Sequence, residues 1–412
     1  MAHLFFFHSI FVLMNKTITL ISLIVFSFSL TACGEKDVNS FVPSINNGVF
    51  KYTDKDATDA FSAFKTYLLE PERNLYLRDT KDLDRLGAIW TQAIYWDIIM
   101  NAYKRTQNSD YLTLMDKFYQ GGQREYDNFN WDNGNVWFIY DDIMWWTISM
   151  GRAYELTKDV KYLNLAKSSF IRVWSGSTVV GDPGSYDPIK GGMFWNWDHE
   201  NPGSQSQGMG KMSCINYPTV IGAMTLYNIT KDESYLTKAK LIFNWAHTNL
   251  FDSKLGRVAD SKHGTGTPDW TLHDYNQATC IGAAVMLYKA TNEKHFLDDA
   301  ILTANYTMNT MSDINGIMPY EGDGTDINNE QGVYNAILAQ YMIRLIEDCN
   351  QPQYLSWLRN NINTGWKNRD KTRNLTTKNY NKATTKDQVI SCYDACSIVA
   401  LMQVCPADTT KE

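Results

Sequence analysis

One short phrase recurs along the chain and limits the folds that this sequence can adopt. A helix-forming run ends in an aromatic or apolar residue, a polar turn follows, and a second hydrophobic residue stands eight positions after the first. Four of the turns carry a threonine, and a leucine follows every second member. Such repetition predicts one helical hairpin used several times. The pairs are Tyr103 with Tyr111, Tyr154 with Tyr162, Tyr227 with Tyr235, Tyr288 with Phe296, and Ile346 with Tyr354.

The spacing of these hairpins predicts a closed ring. The second members are 51, 73, 61 and 58 residues apart, which is too irregular for an open solenoid but natural for hairpins with different loops. Apolar residues at helical spacing give twelve helices and therefore an all-α (α/α)6 barrel. The predicted helices cover 56–70, 86–106, 109–121, 139–157, 159–174, 213–231, 233–249, 275–291, 293–310, 330–348, 351–367 and 390–405.

The N-terminal residues indicate export and attachment to a membrane. Residues 1–32 read as a signal peptide, with Lys16 before an apolar run that ends in Leu-Thr-Ala before Cys33. This pattern resembles a bacterial lipobox, so Cys33 is the predicted lipidation site, and residues 33–55 the tether of a catalytic domain at 56–406. The prediction is a lipoprotein on the periplasmic or cell-surface side of an outer membrane. A membrane-spanning anchor is the alternative, although the run is short.

The charge and the cysteine content limit the kinds of ligand that we expect this chain to bind. With 38 basic and 45 acidic residues and no basic block, nucleic acid is not expected, and a neutral substrate fits better. The six cysteines after Cys33 lie mostly in apolar runs, which indicates packing. Cys392 and Cys396 have helical spacing without a nearby His, and the acidic stretch 321–326 lacks an EF-hand's closing Glu. Neither these nor His199, His263 and His273 predict a metal, and no cofactor is expected.

Asp141 and Asp142 are the strongest candidates for chemistry. The two carboxylates open an aromatic, helix-forming run that contains Trp145 and Trp146. Helix capping is the alternative role, because Asp favours helix N-termini. Glycoside hydrolysis needs two such carboxyl groups acting on one bond.

Long loops between helices supply candidate sugar-binding residues. Residues 175–212, 251–274 and 312–329 form the longest loops, and their aromatic and amide side chains suit stacking on sugar rings and hydrogen bonding to hydroxyl groups. We expect the candidates to lie at the cleft end of the inner helices, with capping or buried polar bonds as the alternative role. They are Asp97, Asn196, Tyr275, Asn276 and Gln277.

Three of these segments together resemble glycoside hydrolase family 76, the endo-α-1,6-mannanases, and the resemblance covers nearly everything after the tether. The matching segments are Tyr140-Asp141-Asp142 before Trp145-Trp146, Gly191-Gly192 before Trp195-Asn196, and Tyr275-Asn276-Gln277 before Ile281. Ala278 stands where the family commonly has Gly, and Trp197 begins an unfamiliar continuation of the second segment.

The resemblance implies retaining, endo-acting cleavage of α-1,6-linked mannan, with Asp141 as nucleophile and Asp142 as acid/base. It also implies substrate contacts for Tyr140, Trp145 and Trp195. Retaining enzymes hold their two carboxyl groups about 5 to 5.5 Å apart. Neighbouring residues, whose Cα atoms are about 3.8 Å apart, can meet that separation. Because neighbours on a helix diverge by about 100°, both side chains must tilt toward the cleft.

Three other functions remain open. A non-catalytic glycan-binding lipoprotein would explain Cys33, the tether and the tryptophans, but not the aspartate pair. Another (α/α)6 sugar hydrolase or lyase would handle acidic sugars with Arg or Lys, whereas the aromatic loops have little basic character beyond Lys190. A transglycosidase would use the same covalent intermediate with a sugar as acceptor.

Overall fold

The structure is a computed structural model that describes residues 50–198, 210–320 and 330–408. Those residues form twelve α-helices and four short strands. The helices are Asp54–Leu68 (α1), Ile89–Thr106 (α2), Asp110–Glu125 (α3), Tyr140–Thr157 (α4), Val160–Ser175 (α5), Ser213–Thr230 (α6), Glu233–Leu250 (α7), Asp274–Thr291 (α8), Lys294–Tyr306 (α9), Tyr334–Asp348 (α10), Leu355–Lys367 (α11) and Cys392–Val404 (α12). The strands are Leu69–Glu70 (β1), Leu75–Tyr76 (β2), Gly210–Met212 (β3) and Ser261–His263 (β4).

The helices form two concentric rings. The even-numbered helices pack side by side in chain order, and α12 closes the inner ring against α2. Each of α3, α5, α7, α9 and α11 packs outside the helix that precedes it, and α1 packs on α12. The predicted (α/α)6 barrel is therefore confirmed, and the two ends of the chain meet in its last hairpin.

Burial separates the two rings. In the inner helix α8, 14 of the 18 residues are buried. In the outer helix α7, which has the same length, only 6 of 18 are buried. An inner helix is covered by neighbours on both sides and by an outer helix behind it, so it is apolar around most of its circumference.

The repeated turn has a physical explanation in the helix ends. Helices α2, α4, α6 and α8 each end at a residue in the left-handed conformation, with φ between 57° and 60°, and its N–H bonds to the tyrosine carbonyl four residues earlier. In α4, the Thr157 hydroxyl donates to Ala153 O at 2.7 Å and accepts from Asp159 N at 3.2 Å. Asp159 then caps α5 by accepting from Lys161 N. Each threonine thus ends one helix and helps to start the next.

The loops divide the ring into two unlike ends. Short turns join the inner helices α2, α4, α6, α8 and α10 to the outer helices that follow them at one end of the ring, which we call the turn end. The long loops lead into the first turns of the inner helices at the opposite end, which we call the acid end. There β3 pairs antiparallel with β4, with Lys211 opposite Lys262, and joins the loops that precede α6 and α8.

The folded body begins earlier than the sequence predicts. Tyr52 is buried, and its hydroxyl donates to Cys405 O at 2.8 Å. Thr53 caps α1 in a capping box with Asp56. The tether predicted for 33–55 therefore extends too far, because residues from Tyr52 onward pack on the ring. The predicted signal peptide and Cys33 lie outside the described residues.

No helix in the described ranges is long and apolar enough to cross a bilayer. The six cysteines after Cys33 are free thiols, and all but Cys349 are buried.

Candidate active site

The two aspartates occupy the second and third positions of α4. The residue before the helix, Ile139, makes no side-chain cap, and neither aspartate serves as one. Asp141 is 9% exposed, whereas Asp142 is half-buried. No basic side chain in the described ranges forms an ion pair with either of them. Buried carboxyl groups without a cation are unusual and are concentrated at functional sites.

The surroundings raise the pKa of both carboxyl groups. Burial raises the pKa of Asp141 to about 7, while the Cys214 thiol, the Trp195 indole and the Asp142 backbone N–H oppose that rise. Burial also raises the pKa of Asp142 well above its usual range, and the negative charges of Asp141 and Glu330 raise it further. Two neighbouring acids of this kind share a proton over a range of pH in which free carboxyl groups would both be ionised. One carboxylate beside one carboxylic acid is what a nucleophile and a general acid require.

The first turns of other inner helices surround the pair. Cys214 opens α6 and interacts with the Asp141 carboxyl group and with Tyr275 in the first turn of α8. Tyr275 stacks on Tyr334, the first residue of α10, with ring centroids 4.0 Å apart. Aromatic and acidic groups from four helices thus meet at the acid end.

A third carboxyl group stands at the edge of this cluster. Glu330 accepts a hydrogen bond from the Trp90 indole at 2.7 Å, and the Trp90 ring packs against Trp145 at 6.0 Å. No sequence motif points to Glu330, Cys214 or Tyr334. Their common signal is position, because each lies at or just before the start of an inner helix.

A hydrogen-bonded network fixes the start of α4. The buried Tyr140 hydroxyl donates to Asp182, which also pairs with the buried Arg172. The Tyr140 backbone N–H donates to Trp195 O at 2.9 Å. Tyr140 therefore holds the start of α4 to the loop 176–198. The predicted direct contact between the Tyr140 side chain and substrate does not fit this full burial.

The buried positions of Trp145 and Asp97 inside the ring correct two further predictions. Trp145 is only 2% exposed and packs between Trp90 and the barrel interior, so it supports the site from behind. Asp97 lies in the middle of α2 and forms a buried ion pair with Arg152, where it lines a cavity that also borders Asn101 and Gln340. It does not lie at the cleft end of its helix. Burial by neighbouring helices, which a local motif does not reveal, decided both positions.

The amide candidates hold loops in place. Gln277 exchanges two hydrogen bonds with the backbone of Val258, both at 3.1 Å, and so fixes the loop before α8. Asn276 donates to Asp260 at 3.3 Å. Asn196 accepts from Asp198 N at 3.0 Å. For these three the alternative role, a buried polar bond, describes the observed geometry, although all of them lie at the acid end as predicted.

The described ranges contain no group of three His, Cys, Asp or Glu side chains arranged to hold a metal ion. Cys392 instead accepts a hydrogen bond from the Tyr95 hydroxyl at 3.1 Å. His199 and the acidic stretch 321–326 lie outside the described residues.

Comparison with known proteins identifies relatives of the whole body. Residues 52–411 match the sequence profile of glycosyl hydrolase family 76. The structure resembles an α-1,6-mannanase from Salegentibacter sp. HEL1_6, with a TM-score of 0.73, 24% identity, and coverage of 85% of this chain and 98% of that one. An inactive variant of that mannanase, with two consecutive aspartates replaced by alanine, was solved with α-1,6-mannotetrose, and it matches equally well at a TM-score of 0.73, 24% identity and the same coverage.

Two further matches are more distant or cover only part of the chain. A family 76 mannosidase from Bacteroides thetaiotaomicron gives a TM-score of 0.68 at 18% identity, covering 85% of this chain and 96% of that one. A cellobiose 2-epimerase from Eubacterium cellulosolvens is 30% identical over 118 residues, which is 28% of this chain and only 29% of the epimerase. At these identities the solved structures establish the fold alone.

Proposed function

Because the chain belongs to glycosyl hydrolase family 76, we propose that it is a retaining, endo-acting hydrolase of α-1,6-linked mannan. This proposal is carried by Asp141 and Asp142, two neighbouring acids in the first turn of α4 that have no ion pair within the described ranges and whose pKa values are both raised. The solved relatives described as α-1,6-mannanases supply the choice of linkage and sugar.

Each step of a double displacement assigns a task to one carboxyl group. Asp142 gives its proton to the glycosidic oxygen while the ionised Asp141 attacks the anomeric carbon, which breaks the glycosidic bond and forms a covalent glycosyl ester. Once the leaving group departs, Asp142 is ionised and removes a proton from water. That water cleaves the ester, Asp141 is released as carboxylate, and Asp142 is again protonated.

The neighbours of the pair support this cycle. The Trp195 indole and the Cys214 thiol stabilise the ionised form of Asp141, which favours a free nucleophile. The charge of Glu330 favours the protonated form of Asp142, which favours a loaded acid. Half-buried aromatic and polar side chains at the acid end suit a neutral sugar.

Product analysis tests the substrate and the mode of action. The body from residue 50 onward would be incubated with linear α-1,6-mannan and with α-1,2-, α-1,3- and β-1,4-linked polysaccharides. We expect a ladder of short oligosaccharides from the first only, since endo action cuts within the backbone. Monosaccharide as the sole early product, or cleavage of a β-linked polymer instead, would contradict the proposal.

The stereochemistry is tested separately. Proton NMR during the first minutes of hydrolysis should show the α-anomer of the new reducing end before mutarotation. A β-anomer as first product would mean inversion, and Asp141 would then have to activate water. Inclusion of a high concentration of oligosaccharide acceptor in the same experiment would reveal transfer products if the ester is intercepted by a sugar.

We further propose that the protein is a lipoprotein anchored through Cys33 and displayed at an outer membrane. The lipobox-like sequence before Cys33 supports this. In a bacterial host, the full chain should incorporate labelled palmitate and sediment with membranes. A Cys33→Ser variant should lose the label. Equal labelling of both proteins would refute the anchor.

A further inference from the structure

A second aromatic surface lies on the loop that leads into the active site. Trp174, Tyr186 and Phe194 line it together with Pro188 and Ile189, and it has a volume of about 510 Å³. We call this surface the outer groove. Pockets that bind small ligands are typically about 300 to 1,000 Å³. The outer groove is therefore large enough for a few sugar rings.

The outer groove is held in shape by its own loop. Asp187 accepts hydrogen bonds from Ile189 N and Lys190 N at 2.9 and 3.0 Å and pairs with Lys211 at 2.7 Å. Gly192, with φ of +77°, lies so close to the Trp245 indole that an added Cβ would be 2.5 Å from the ring. A preformed surface does not lose binding free energy to ordering of the loop.

The chemistry of the outer groove suits uncharged sugar rings. Tyr186 and Trp174 stack with centroids 4.3 Å apart and planes 15° apart, so the Tyr186 ring is held in place against Trp174. Ile189 at its edge is 89% exposed. Asp187 lines the outer groove and pairs with Lys211, whose ammonium lies 4.8 Å over the Phe194 ring, so these two charges neutralise each other. Aromatic and aliphatic side chains around a paired Asp187 match the C–H faces of pyranoses better than they match an ionic ligand.

The backbone places this surface outside the catalytic cleft but next to it. Phe194 N bonds to Ser185 O, while Trp195 O accepts from Tyr140 N on the other side of the same extended segment. Side chains of consecutive extended residues point to opposite sides. Phe194 therefore faces the outer groove and Trp195 faces Asp141, so the two surfaces are one residue apart.

We propose that the outer groove binds a distant stretch of the same neutral polysaccharide that is cleaved at Asp141 and Asp142. This inference rests on the proposed function for the identity of the sugar. A polymer held at both surfaces would stay near the catalytic acids between cuts, because the second contact becomes intramolecular. A short oligosaccharide would gain nothing from the outer groove.

Substrate length separates this role from a catalytic one. The Tyr186→Ala variant should raise the KM for long α-1,6-mannan by about fivefold, since it removes one aromatic contact. The KM for a short substrate, the α-1,6-linked mannose trisaccharide, should stay unchanged. The kcat on the trisaccharide and on the long polymer should also stay unchanged. Tyr186→Phe keeps the ring and should behave as the unmodified protein.

Exposed residues of the loop provide variants that do not threaten the fold. Ile189→Ser should weaken polymer binding, whereas Val179→Ser, which changes an equally exposed side chain (84%) outside the outer groove, should not. Retardation of the catalytically disabled Asp142→Ala protein in gels containing each polysaccharide measures binding without turnover. Thermal unfolding checks that each variant is folded.

Three results would overturn the proposal. Unchanged polymer KM and gel retardation in folded Tyr186→Ala and Ile189→Ser would show that the outer groove binds no polysaccharide. Equal loss on trisaccharide and polymer would assign these residues to the catalytic cleft. Concentration-dependent dimers that Tyr186→Ala abolishes would make the surface an interface between copies of this chain. If mannan is not cleaved but another polysaccharide is retarded through Tyr186, the proposed function fails while the outer groove remains a glycan site.

Discussion

Two sites in the helical ring bury carboxyl groups and compensate the charge in different ways. In the middle of α2, Asp97 is paired with Arg152, and Arg152, Lys104 and Arg344 line a cavity of about 520 Å³. At the acid end, Asp141 and Asp142 have no ion pair within the described ranges, and the negative charges of Asp141 and Glu330 act on Asp142. A paired acid stabilises the fold, whereas an unpaired acid has a shifted pKa that chemistry can use.

The largest expected effect comes from substitution of the two aspartates at the acid end. Asp141→Ala removes the nucleophile and Asp142→Ala removes the proton donor, so each should lower kcat/KM on α-1,6-mannan by at least about 10³-fold. Both variants should keep the circular dichroism spectrum of the helical ring, because neither carboxyl group has an ion-pair partner to lose. Mannan cleavage that is undiminished in Asp142→Ala would contradict the assignment.

The second prediction concerns the buried ion pair between Asp97 and Arg152. Asp97→Ala leaves Arg152 buried without its partner and should lower the free energy of unfolding by about 3 to 5 kcal/mol in urea denaturation. The Asp116→Ala variant is the control, because Asp116 pairs with Lys161 at the surface and is 46% exposed. Its loss should stay below about 1 kcal/mol. Equal losses in the two variants would mean that burial of the pair is unimportant.

The pH dependence of kcat/KM tests the raised pKa values of the two aspartates. Asp141 must be ionised to attack, and its pKa is raised to about 7, so kcat/KM should fall about tenfold per pH unit below that value. Activity should persist at higher pH until Asp142 loses its proton, because burial and the charges of Asp141 and Glu330 raise the pKa of Asp142 well above its usual range. Removal of Glu330's charge in Glu330→Gln should move the alkaline limb to lower pH. An acid limb near pH 4 would exclude a raised pKa for the nucleophile.

Stability should change with pH in the opposite sense to an ordinary salt bridge. The unfolded Asp has a pKa of about 3.9. Because the folded-state pKa of Asp141 is higher, the folded protein binds protons more tightly between these values. The stabilisation that this proton binding gives the folded state is fully present below the unfolded-state pKa of Asp141 and is lost as the pH rises toward 7. Urea midpoints of Asp141→Asn should lack this part of the decline.

The smallest effect concerns the repeated turn. Thr157→Val removes one donated and one accepted hydrogen bond at the end of α4 and should lower the free energy of unfolding by about 1 kcal/mol without changing kcat. Thr248→Val is the control, because Thr248 only donates to Asn244 O within α7. A larger loss in the control would mean that the turn contacts do not matter.

The helices were predictable because their signals are local. Apolar spacing and the turn threonines lie within a few residues of the structure that they specify, so every predicted helix matches an observed one with only the ends displaced. The N-terminal boundary was misplaced because Tyr52 is fixed by a contact with Cys405, more than three hundred residues away. No local pattern at residues 50–55 contains that information.

The site divides in the same way. Asp141 and Asp142 were found from a local motif and its family resemblance. Asp97 was misplaced because it lies eight residues into α2, about 12 Å beyond the start of the helix. Glu330, Cys214 and Tyr334 were missed because they approach the aspartates from other helices.

The sequence alone determined the helical hairpins, the ring that they imply and the two adjacent acids, because hydrophobic period, turn chemistry and residue type are properties of short segments. Only the tertiary structure decided which carboxyl groups meet a cation and which do not. That outcome depends on which helices surround a side chain, and burial without a partner raises its pKa. Asp97 and Asp141 are the same residue type in neighbouring helices, and their different neighbours give them different roles.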